Sequence, residues 1–560
     1  MSANVDIKIG FWIDEDKPWF SKLLLTIPNK EANFLIAAIS FLLTSFILPF
    51  AWKTLILILY VSRYTRPSAD THELEQQRIL FRNARSSANA VTSLSTSFWH
   101  WRRRTRRPPW REISQFFALL ILASICVVVL GVCGIFVPSL FASDASDNVI
   151  VLAEAGSCGF LKLHDANAEI AEVSSVASRE LDETTFARRY AAQFYGNESV
   201  AERIQSTFPV PSLPFRTDKS APCPFDARIC FPGPGESISF DTGLLDSHKH
   251  LGINARKKDR VQYRWKAACA PLKLDSTMFS VTEQKEGNTT SQYAEFYLGE
   301  NEKSNVTVSW RFRYPENRIG YQVQDAGNIS WVPVSPLRRP DADITLVFVT
   351  QNQVAYSTMV NDRVFQANGT VKRVLQKGNG KLYLPDYNAR FIACADQHEF
   401  CNPTNGLCSG LDGLLGPVKG PFSTISTSKQ LATVQRIHHN AEVYTMERSL
   451  KELGSNGLIA HSVIGNTMLV SPGLPDDQWQ LETRRWFETG LVKLQANTKN
   501  FANLPYSDRD SIAYKFIPAG SLTNTADVNS ELDKLCSKQR IRSNGQVQNF
   551  NVASLIILMV

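Results

Sequence analysis

The chain has 560 residues, of which 44% are hydrophobic and 20% are charged, and its formal net charge is +7. This length excludes a single hydrophobic core and leads us to expect about three or four structural units. The average composition is that of an ordinary globular protein, but it conceals two much more apolar stretches near the N-terminus.

The apolar stretches lie at residues 34–61 and 113–141. Lys53 is the one charged residue of the first stretch, and the second has none. Each exceeds the roughly 20 residues that cross a bilayer as a helix, and a core helix seldom stays apolar on all its faces for so long. The preceding residues 1–33 are too many for a cleavable signal peptide. We therefore predict an integral membrane protein with an α-helical transmembrane span over each stretch.

An arginine-rich segment joins the two stretches at residues 62–112. It holds eleven arginines and four acidic residues, so its net charge equals that of the whole chain. Short loops rich in basic residues stay in the cytosol, so we predict a cytosolic loop flanked by extracytoplasmic residues 1–33 and 142–551. The run Arg102–Arg107 serves in this interpretation as a topology signal. Anionic lipids are its alternative partner, and we expect no binding to nucleic acid.

Five sequons of the form Asn-x-Ser/Thr are present, and all of them follow residue 143. N-glycans are added on the lumenal side of the secretory pathway, so this distribution agrees with the predicted orientation. We therefore predict a glycoprotein with the acceptor residues Asn197, Asn288, Asn305, Asn328 and Asn368.

Eight of the ten cysteines lie outside the apolar stretches, where an even number implies a disulfide framework. The disulfide candidates are Cys158, Cys223, Cys230, Cys269, Cys394, Cys401, Cys408 and Cys536. The sequence leaves their pairing open, although the spacing of Cys223 and Cys230 suggests a short loop. Three cysteines at seven-residue steps from Cys394 surround His398, which makes a metal site the alternative. The spacing of two to four residues typical of zinc ligands is absent, however, and we expect no metal.

Hydrophobic periodicity divides the predicted extracytoplasmic domain into parts. Residues 142–260 show helical spacing within 166–195 and then become irregular. Residues 261–409 change to a period of two, which is typical of a sheet with one buried face, and predict a β-sandwich-like part. A linker follows at 410–428, and helical patterns return over 429–551. The predicted fold class is therefore a mixed α+β, disulfide-bonded domain attached to transmembrane helices.

The helix predicted over residues 476–500 has a broad apolar side that includes Trp479, Trp486 and Phe487. Such a side is more often part of a core than a binding surface. We expect it to be buried.

The chain ends with residues 552–560, which are almost wholly apolar. They are too few to cross a bilayer as a helix. We expect the start of a truncated third transmembrane helix here, and a buried terminal segment is the alternative.

Several short stretches carry a family resemblance. They are Gly10-Phe11-Trp12-Ile13-Asp14, Asp241-Thr242-Gly243-Leu244-Leu245-Asp246-Ser247 with Leu251-Gly252-Ile253-Asn254, Cys401-Asn402 with Cys408, and Leu535-Cys536-Ser537-Lys538-Gln539-Arg540-Ile541-Arg542. Together they resemble an uncharacterised family of multi-pass membrane proteins from filamentous fungi. The resemblance implies a large extracytoplasmic domain between transmembrane helices, with a further span after the position of Cys536, and it implies no catalytic residue.

Common catalytic motifs are absent from the sequence. It contains no His-Glu-x-x-His, no Gly-x-Ser-x-Gly and no Gly-x-x-x-x-Gly-Lys-Ser/Thr. One cluster of histidines and carboxylates, His248 and His250 near Asp241 and Asp246, could bind a metal or act in catalysis. Its polar, lysine-containing surroundings favour solvated side chains.

Two further motifs have structural interpretations. The adjacent His438 and His439 point in different directions from a helix, so at most one of them could face a given site. The segment Gly233-Pro234-Gly235 is interpreted as a turn because no helix follows it to complete a phosphate-binding loop.

The mass of the chain lies outside the predicted spans, which favours a membrane glycoprotein that binds or recognises a ligand at the cell surface or in the secretory pathway. The expected partners are the lipid bilayer and an unidentified extracytoplasmic ligand, with no cofactor. A membrane-anchored extracytoplasmic hydrolase acting on glycans or esters is the alternative. The predicted location is multi-pass, in the plasma membrane or an endomembrane of the secretory pathway.

Overall fold

The fold is known from a computed structural model. It describes residues 7–559 except 43–44, 47, 65–78, 80–82, 84–85, 105–113, 115–116, 119, 129–141, 144–148, 164–169, 197–203, 274–278, 287–288, 302–306, 315–319, 326–330, 351–353, 376–377, 388, 415, 420–425, 442–444, 447, 451–452, 454–456, 461–469, 503, 505–513 and 544.

Strands and helices alternate irregularly along the chain. The strands are β1 (Gly10–Ile13), β2 (Leu23–Pro28), β3 (Ala142–Ser143), β4 (Ile150–Leu152), β5 (Gly159–Leu163), β6 (Arg216–Asp218), β7 (Ile238–Asp241), β8 (Leu245–Asp246), β9 (Gln262–Pro271), β10 (Phe279–Glu286), β11 (Thr289–Asn301), β12 (Thr307–Tyr314), β13 (Gly320–Asp325), β14 (Trp331–Pro333), β15 (Asp343–Thr350), β16 (Ala355–Tyr356), β17 (Gly369–Leu375), β18 (Gly378–Leu384), β19 (Ala389–Asn402), β20 (Leu407–Cys408), β21 (Val470–Ser471), β22 (Tyr514–Pro518), β23 (Arg540–Arg542) and β24 (Val547–Asn551). The helices are α1 (Asn29–Leu42), α2 (Leu48–Tyr64), α3 (Ser87–Arg104), α4 (Ile170–Phe194), α5 (Gly416–Lys419), α6 (Ser428–Ala441), α7 (Gln478–Asn500), α8 (Ala526–Cys536) and α9 (Val552–Met559).

The chain forms two compact units. The larger unit consists of Met1–Lys8 and Ile150–Arg542, and the smaller unit consists of Ile9–Val149 and Ser543–Val560. Within the smaller unit, strands from both ends of the chain form one antiparallel sheet in the order β1-β2-β24-β3. The Trp12 indole donates to the hydroxyl of Thr26 at 2.8 Å, and that hydroxyl donates to the side chain of Asn549 at 2.6 Å. These buried hydrogen bonds link β1, β2 and β24.

The first predicted transmembrane span is occupied by two separate helices. Helix α1 has 14 residues and α2 has 17, which is fewer than the roughly 20 required to cross a bilayer. Pro49 lies in the first turn of α2, where the missing N–H of proline is tolerated. Residues 45–46 form a π-helical turn, and 43–44 and 47 lie outside the described residues. The apolar run is therefore longer than either helix.

The described helices of the other two predicted spans are also too short to cross a bilayer. In the second, residues 120–128 are helical and 129–141 lie outside the described residues; helix α9, at the third, has 8 residues. Among all described helices, none combines the length and the apolar character that crossing a membrane demands. The predictions of an integral membrane protein, of transmembrane helices and of a multi-pass membrane location are therefore wrong. The membrane orientation inferred from the arginine-rich loop depended on those spans, so it is no longer supported.

The larger unit is built on an eight-stranded sheet in the order β13-β15-β19-β9-β7-β6, with β20 on β19 and β8 on β9. Alternate residues of its central strands enter different cores, as the pleat requires. Tyr263, Trp265 and Val347 belong to a core shared with helix α7, whereas Phe348 and Phe391 belong to a core shared with β11. The unit is thus a mixed α+β structure of three layers, with helices on one face of the sheet and the strands β10-β11-β12 on the other.

Helix α7 anchors the helical layer. Trp479, Trp486 and Phe487 are each at most 1% exposed, which confirms that the apolar side predicted for this helix belongs to the core. The Phe487 ring lies 4.3 Å from that of Trp265 and 5.1 Å from that of Phe240, centroid to centroid. Aromatic contacts therefore join the helix to two strands of the sheet.

All eight cysteines outside the apolar stretches are paired. The disulfides are Cys158–Cys536, Cys223–Cys230, Cys269–Cys394 and Cys401–Cys408. Two of them join directly opposed residues of neighbouring strands, β9 with β19 and β19 with β20. The Cys158–Cys536 bond ties the beginning of the larger unit to the end of helix α8.

Candidate functional site

One end of the large sheet brings together an aromatic ring and several cations. Cys230, fixed by its disulfide, forms a β-bridge with Leu272, and the N–H of Lys273 donates to the carbonyl of Ile229 at 2.7 Å. The N–H of Leu272 in turn donates to the carbonyl of Phe391 at 3.1 Å. These backbone contacts place Phe231, which follows Cys230, beside Lys273 and the start of β19.

Three cations surround the Phe231 ring. The Nζ atom of Lys273 lies 5.7 Å from the ring centroid, and the guanidinium carbons of Arg363 and Arg390 lie at 5.1 Å and 5.8 Å. All three distances are within the reach of cation–π attraction, which amounts to roughly 0.5–1 kcal/mol at exposed sites. We call Phe231, Lys273, Arg363, Arg390 and Tyr387 the Phe231 face.

Arg363 is held in place by the turn that precedes it. The buried carboxylate of Asp362 accepts hydrogen bonds of 2.8–2.9 Å from the N–H groups of Val364, Phe365 and Trp479. The turn is thereby fixed to the first turn of α7. Burial raises the pKa of Asp362 to about 6, against the lowering effect of these donors. Because its oxygens are engaged by the backbone, we assign this carboxyl a structural role.

The guanidinium of Arg363 also pairs with Glu236, at N–O distances of 2.6–2.9 Å. Glu236 follows Gly233-Pro234-Gly235, where both glycines have positive φ angles of 118° and 82°. Gln480 of α7 donates to the carbonyl of Gly235 at 2.8 Å. The segment is thus a turn, and it positions Glu236 at the edge of the Phe231 face.

Arg390 is the most enclosed cation of this face. It is 8% exposed, and its guanidinium carbon lies 3.3 Å from the centre of the Tyr387 ring. Burial lowers the pKa of Arg390, and the charge of Arg363 acts in the same direction. Its Nε atom is buried without a hydrogen-bond partner among the described residues. The Phe231 face therefore contains a donor whose hydrogen-bonding capacity is unused.

The histidines and carboxylates of the predicted cluster do not form a common site, and each contacts other groups of the fold. The ring of His248, which is 1% exposed, accepts from the N–H of Ala255 at 3.3 Å and contacts the guanidinium of Arg540. His250 Nδ1 accepts from the N–H of Asp246 at 2.8 Å, so neither ring is solvated as predicted. Burial lowers the pKa of His250.

Asp246 of that cluster accepts from the N–H of His248 at 2.8 Å, whereas Asp241 has another partner. It forms two hydrogen bonds of 2.5 and 2.9 Å with the guanidinium of Arg264. Burial opposes the effect, but this ion pair lowers the pKa of Asp241. The arrangement explains the charges of Asp241 and Arg264 without a ligand.

A second group of histidines is buried between sheet and helix. His398 is fully buried, its Nδ1 atom lies 2.7 Å from the hydroxyl of Tyr263, and its Nε2 atom has no hydrogen-bond partner among the described residues. Burial, together with the nearby His438, lowers the pKa of His398 to about 3. Burial and His439 lower the pKa of His438 to about 4, although a backbone group of Leu414 opposes this. Both rings are therefore neutral at pH 7.

Glu482 is another buried group with a perturbed pKa. It is fully buried, and burial raises its pKa to about 7. Its oxygens accept from the N–H groups of Ile459 and Ala460 at 2.6 and 2.7 Å and from Gln478 at 2.7 Å. These hydrogen bonds satisfy backbone N–H groups at the start of a helical segment, so we assign Glu482 a structural role.

The cysteines predicted as an alternative metal site are oxidised. Ligand atoms of Glu399, Cys401 and Cys408 lie within 4.8 Å of one another, but both sulfurs belong to one disulfide, and Cys394 is bonded to Cys269. A disulfide sulfur is not the thiolate that zinc requires. The disulfide interpretation therefore replaces the metal interpretation.

One predicted glycosylation site lies among the described residues. Asn368 is exposed at the start of β17, and its N–H donates to Asp386 at 3.0 Å. Asn197, Asn288, Asn305 and Asn328 lie outside the described residues.

Sequence reasoning missed the cations of the Phe231 face. Lys273, Arg363 and Arg390 are far apart along the chain and belong to no common motif. The one local signal was the turn after Phe231, which marks a loop. The convergence of the cations arises from the pairing of β9 with β19, which the sequence alone does not specify.

Comparisons with family models, with curated proteins and with solved structures found no match for this chain. The resemblance to a fungal family therefore stays an expectation.

Proposed function

We propose that this protein recognises an anionic ligand and binds it without transforming it, with the Phe231 face as the binding site. The observation that carries the proposal is the convergence of Lys273, Arg363 and Arg390 on one aromatic ring. Like charges in such proximity repel one another, and a bound anion would relieve that repulsion.

The remaining perturbed groups support binding over catalysis. Asp362 and Glu482 have raised pKa values, as catalytic acids do, but backbone N–H groups engage both. The ring nitrogens of His248 are likewise engaged. Asp362, Glu482 and His248 therefore offer a hydrolase no acid or base that is free to act on a substrate.

The four disulfides support a role in an oxidising compartment. Two of them join β9 to β19 and β19 to β20, one fixes Cys230 beside Phe231, and one joins Cys158 to the end of α8. Such bonds persist mainly in secreted or lumenal proteins. A rigid framework keeps the Phe231 face in its binding geometry before a ligand arrives, which favours affinity.

The proposal is tested on arrays of glycans and of proteins with the full chain. The wild type is compared with the double variant Lys273→Gln/Arg363→Gln. We expect the wild type to retain anionic ligands that the double variant loses. Equal retention by the two proteins, or turnover of glycans or esters without retained ligand, would contradict the proposal.

Arg484 and Lys381 provide matched controls. The Arg484 side chain is 46% exposed, pairs with Glu488 and lies 5.6 Å from the Phe215 centroid; the Arg363 side chain is 45% exposed, pairs with Glu236 and lies 5.1 Å from the Phe231 centroid. Lys381 lies 5.2 Å from the centroid of Tyr383. The variant Lys381→Gln/Arg484→Gln therefore removes the same charges from similar surroundings and should bind like the wild type.

A further inference from the structure

We propose that the ligand group recognised by the Phe231 face is a sulfate ester, a monoanion with three terminal oxygens. The inference rests on the proposed function and specifies its ligand. The charge of the face, the number of its donors and its apolar surface each favour this group.

The charge of the face selects a monoanion. Lys273, Arg363 and Arg390 contribute three positive charges, Glu236 neutralises one through its ion pair with Arg363, and Asp386 acts electrostatically on Arg390. Asp386 also accepts the N–H groups of Asn368 and Gly369 at 3.0 Å, which fixes its carboxylate beside the face. The buried carboxylate of Asp362 acts on Arg363 in the same way, so these acidic groups offset most of the positive charge of the face. They repel a dianion more strongly than a monoanion. A sulfate ester carries one negative charge, whereas a phosphate monoester carries about −1.5 to −2 at pH 7.

The donors of the face outnumber the oxygens of a carboxylate. The three cations come from separate segments and stand around the ring at 5.1–5.8 Å from its centroid. A carboxylate has two oxygens, whereas a sulfate ester has three, one for each of the three cations.

The aromatic residues of the face accommodate the carbon part of the ester. Tyr387 is 40% exposed beside Arg390, and Phe231 is partly buried between the cations. Ligand sites commonly combine an apolar surface with a few charged groups that fix orientation. An aryl or sugar ring attached to the sulfate can therefore lie against Tyr387 while the anion meets the cations.

The test uses three ligands with the same aryl group, titrated calorimetrically into the full chain at pH 7.5. They are 4-nitrophenyl sulfate, 4-nitrophenyl phosphate and 4-nitrobenzoate. We expect the sulfate to bind at least about tenfold more tightly than the other two. Lys273→Gln and Arg363→Gln should each weaken sulfate binding about tenfold, whereas Lys381→Gln and Arg484→Gln should leave it unchanged.

The outcomes separate this inference from the proposed function. Equal affinities for the three anions, or no sulfate binding, would overturn the sulfate assignment. If the array ligands were nevertheless lost in Lys273→Gln/Arg363→Gln, the proposed function would stand with another anion. Release of 4-nitrophenolate from the sulfate would overturn binding without transformation, because it requires cleavage of the S–O bond by water.

Discussion

Arg363 and Glu236 form an ion pair at the edge of the Phe231 face, with N–O distances of 2.6–2.9 Å. The pair orients the guanidinium toward Phe231 and also reduces the charge that the face presents to an anion. Orientation of the guanidinium favours anion binding, and loss of positive charge disfavours it. If the face selects ligands by their charge, the loss of positive charge has the larger effect on affinity.

Glu236→Gln should change the ligand preference of the face. The amide can still accept a hydrogen bond from Arg363, but the negative charge is gone, so the face gains one net positive charge. We expect 4-nitrophenyl phosphate to bind about fivefold more tightly than to the wild type, with a smaller gain for the sulfate. Calorimetric titration measures both affinities. Weaker binding of both anions would mean that Glu236 contacts the ligand itself.

The buried histidines should make stability fall as the solution becomes acidic. Burial lowers the pKa of His438 to about 4, while the unfolded chain has the ordinary value of about 6.5. Between these values the unfolded state binds the proton and the folded state does not. Stability from this group is therefore complete above pH 6.5 and declines as the pH falls toward 4.

The variant His438→Leu isolates that contribution, because the carboxyl groups titrate equally in both proteins. The stability of the wild type relative to the variant should fall by on the order of 2 kcal/mol between pH 7 and pH 5. Urea unfolding at several pH values measures the difference. Parallel stability profiles for the two proteins would show that His438 titrates normally in the fold.

The disulfides should differ in their contribution to stability. Cys158–Cys536 closes a separation of 378 residues and Cys223–Cys230 one of 7. Loop-closure entropy predicts that removing the first, by Cys158→Ala/Cys536→Ala, lowers the free energy of unfolding by about 6 kcal/mol, against about 2 kcal/mol for Cys223→Ala/Cys230→Ala. Denaturant titration of the two variants provides the measurement. The reverse order would indicate that strain in the folded state outweighs chain entropy.

Asn368 should carry an N-glycan when the chain passes through a eukaryotic secretory pathway. It is exposed and followed by Gly369 and Thr370, which complete the sequon. Asn368→Gln should remove the part of the endoglycosidase-sensitive shift in gel mobility that one glycan contributes. Asn361→Gln replaces an exposed asparagine outside a sequon and should leave the whole shift in place. Identical mobility of wild type and Asn368→Gln would exclude modification at this residue.

Local patterns predicted local structure well. The strands β9 to β20 lie within residues 261–409, for which a period of two is predicted, and the helix predicted over 476–500 is α7 at Gln478–Asn500. These features depend on neighbours in sequence. The hydropathy of residues 34–61, in contrast, suggested one long span, because an average over a window registers apolar character and not where a helix begins or ends; the described helices there are α1 and α2, of 14 and 17 residues.

The candidate site could not be predicted because it depends on strand pairing. Lys273 and Arg390 meet through the hydrogen bond from Leu272 to Phe391, more than a hundred residues away. His248 and Asp241, which are close in sequence, bind different arginines instead. Proximity in sequence was thus a poor guide to proximity in the fold for charged side chains.

The most direct test of binding at the Phe231 face is protection of Arg363 from chemical modification. Phenylglyoxal labelling of Arg363 and Arg484 is followed by mass spectrometry with and without 4-nitrophenyl sulfate; the two side chains are 45% and 46% exposed and each pairs with a glutamate. We predict that the ligand slows the labelling of Arg363 several-fold and leaves Arg484 unchanged. Equal labelling of Arg363 with and without ligand would contradict the account.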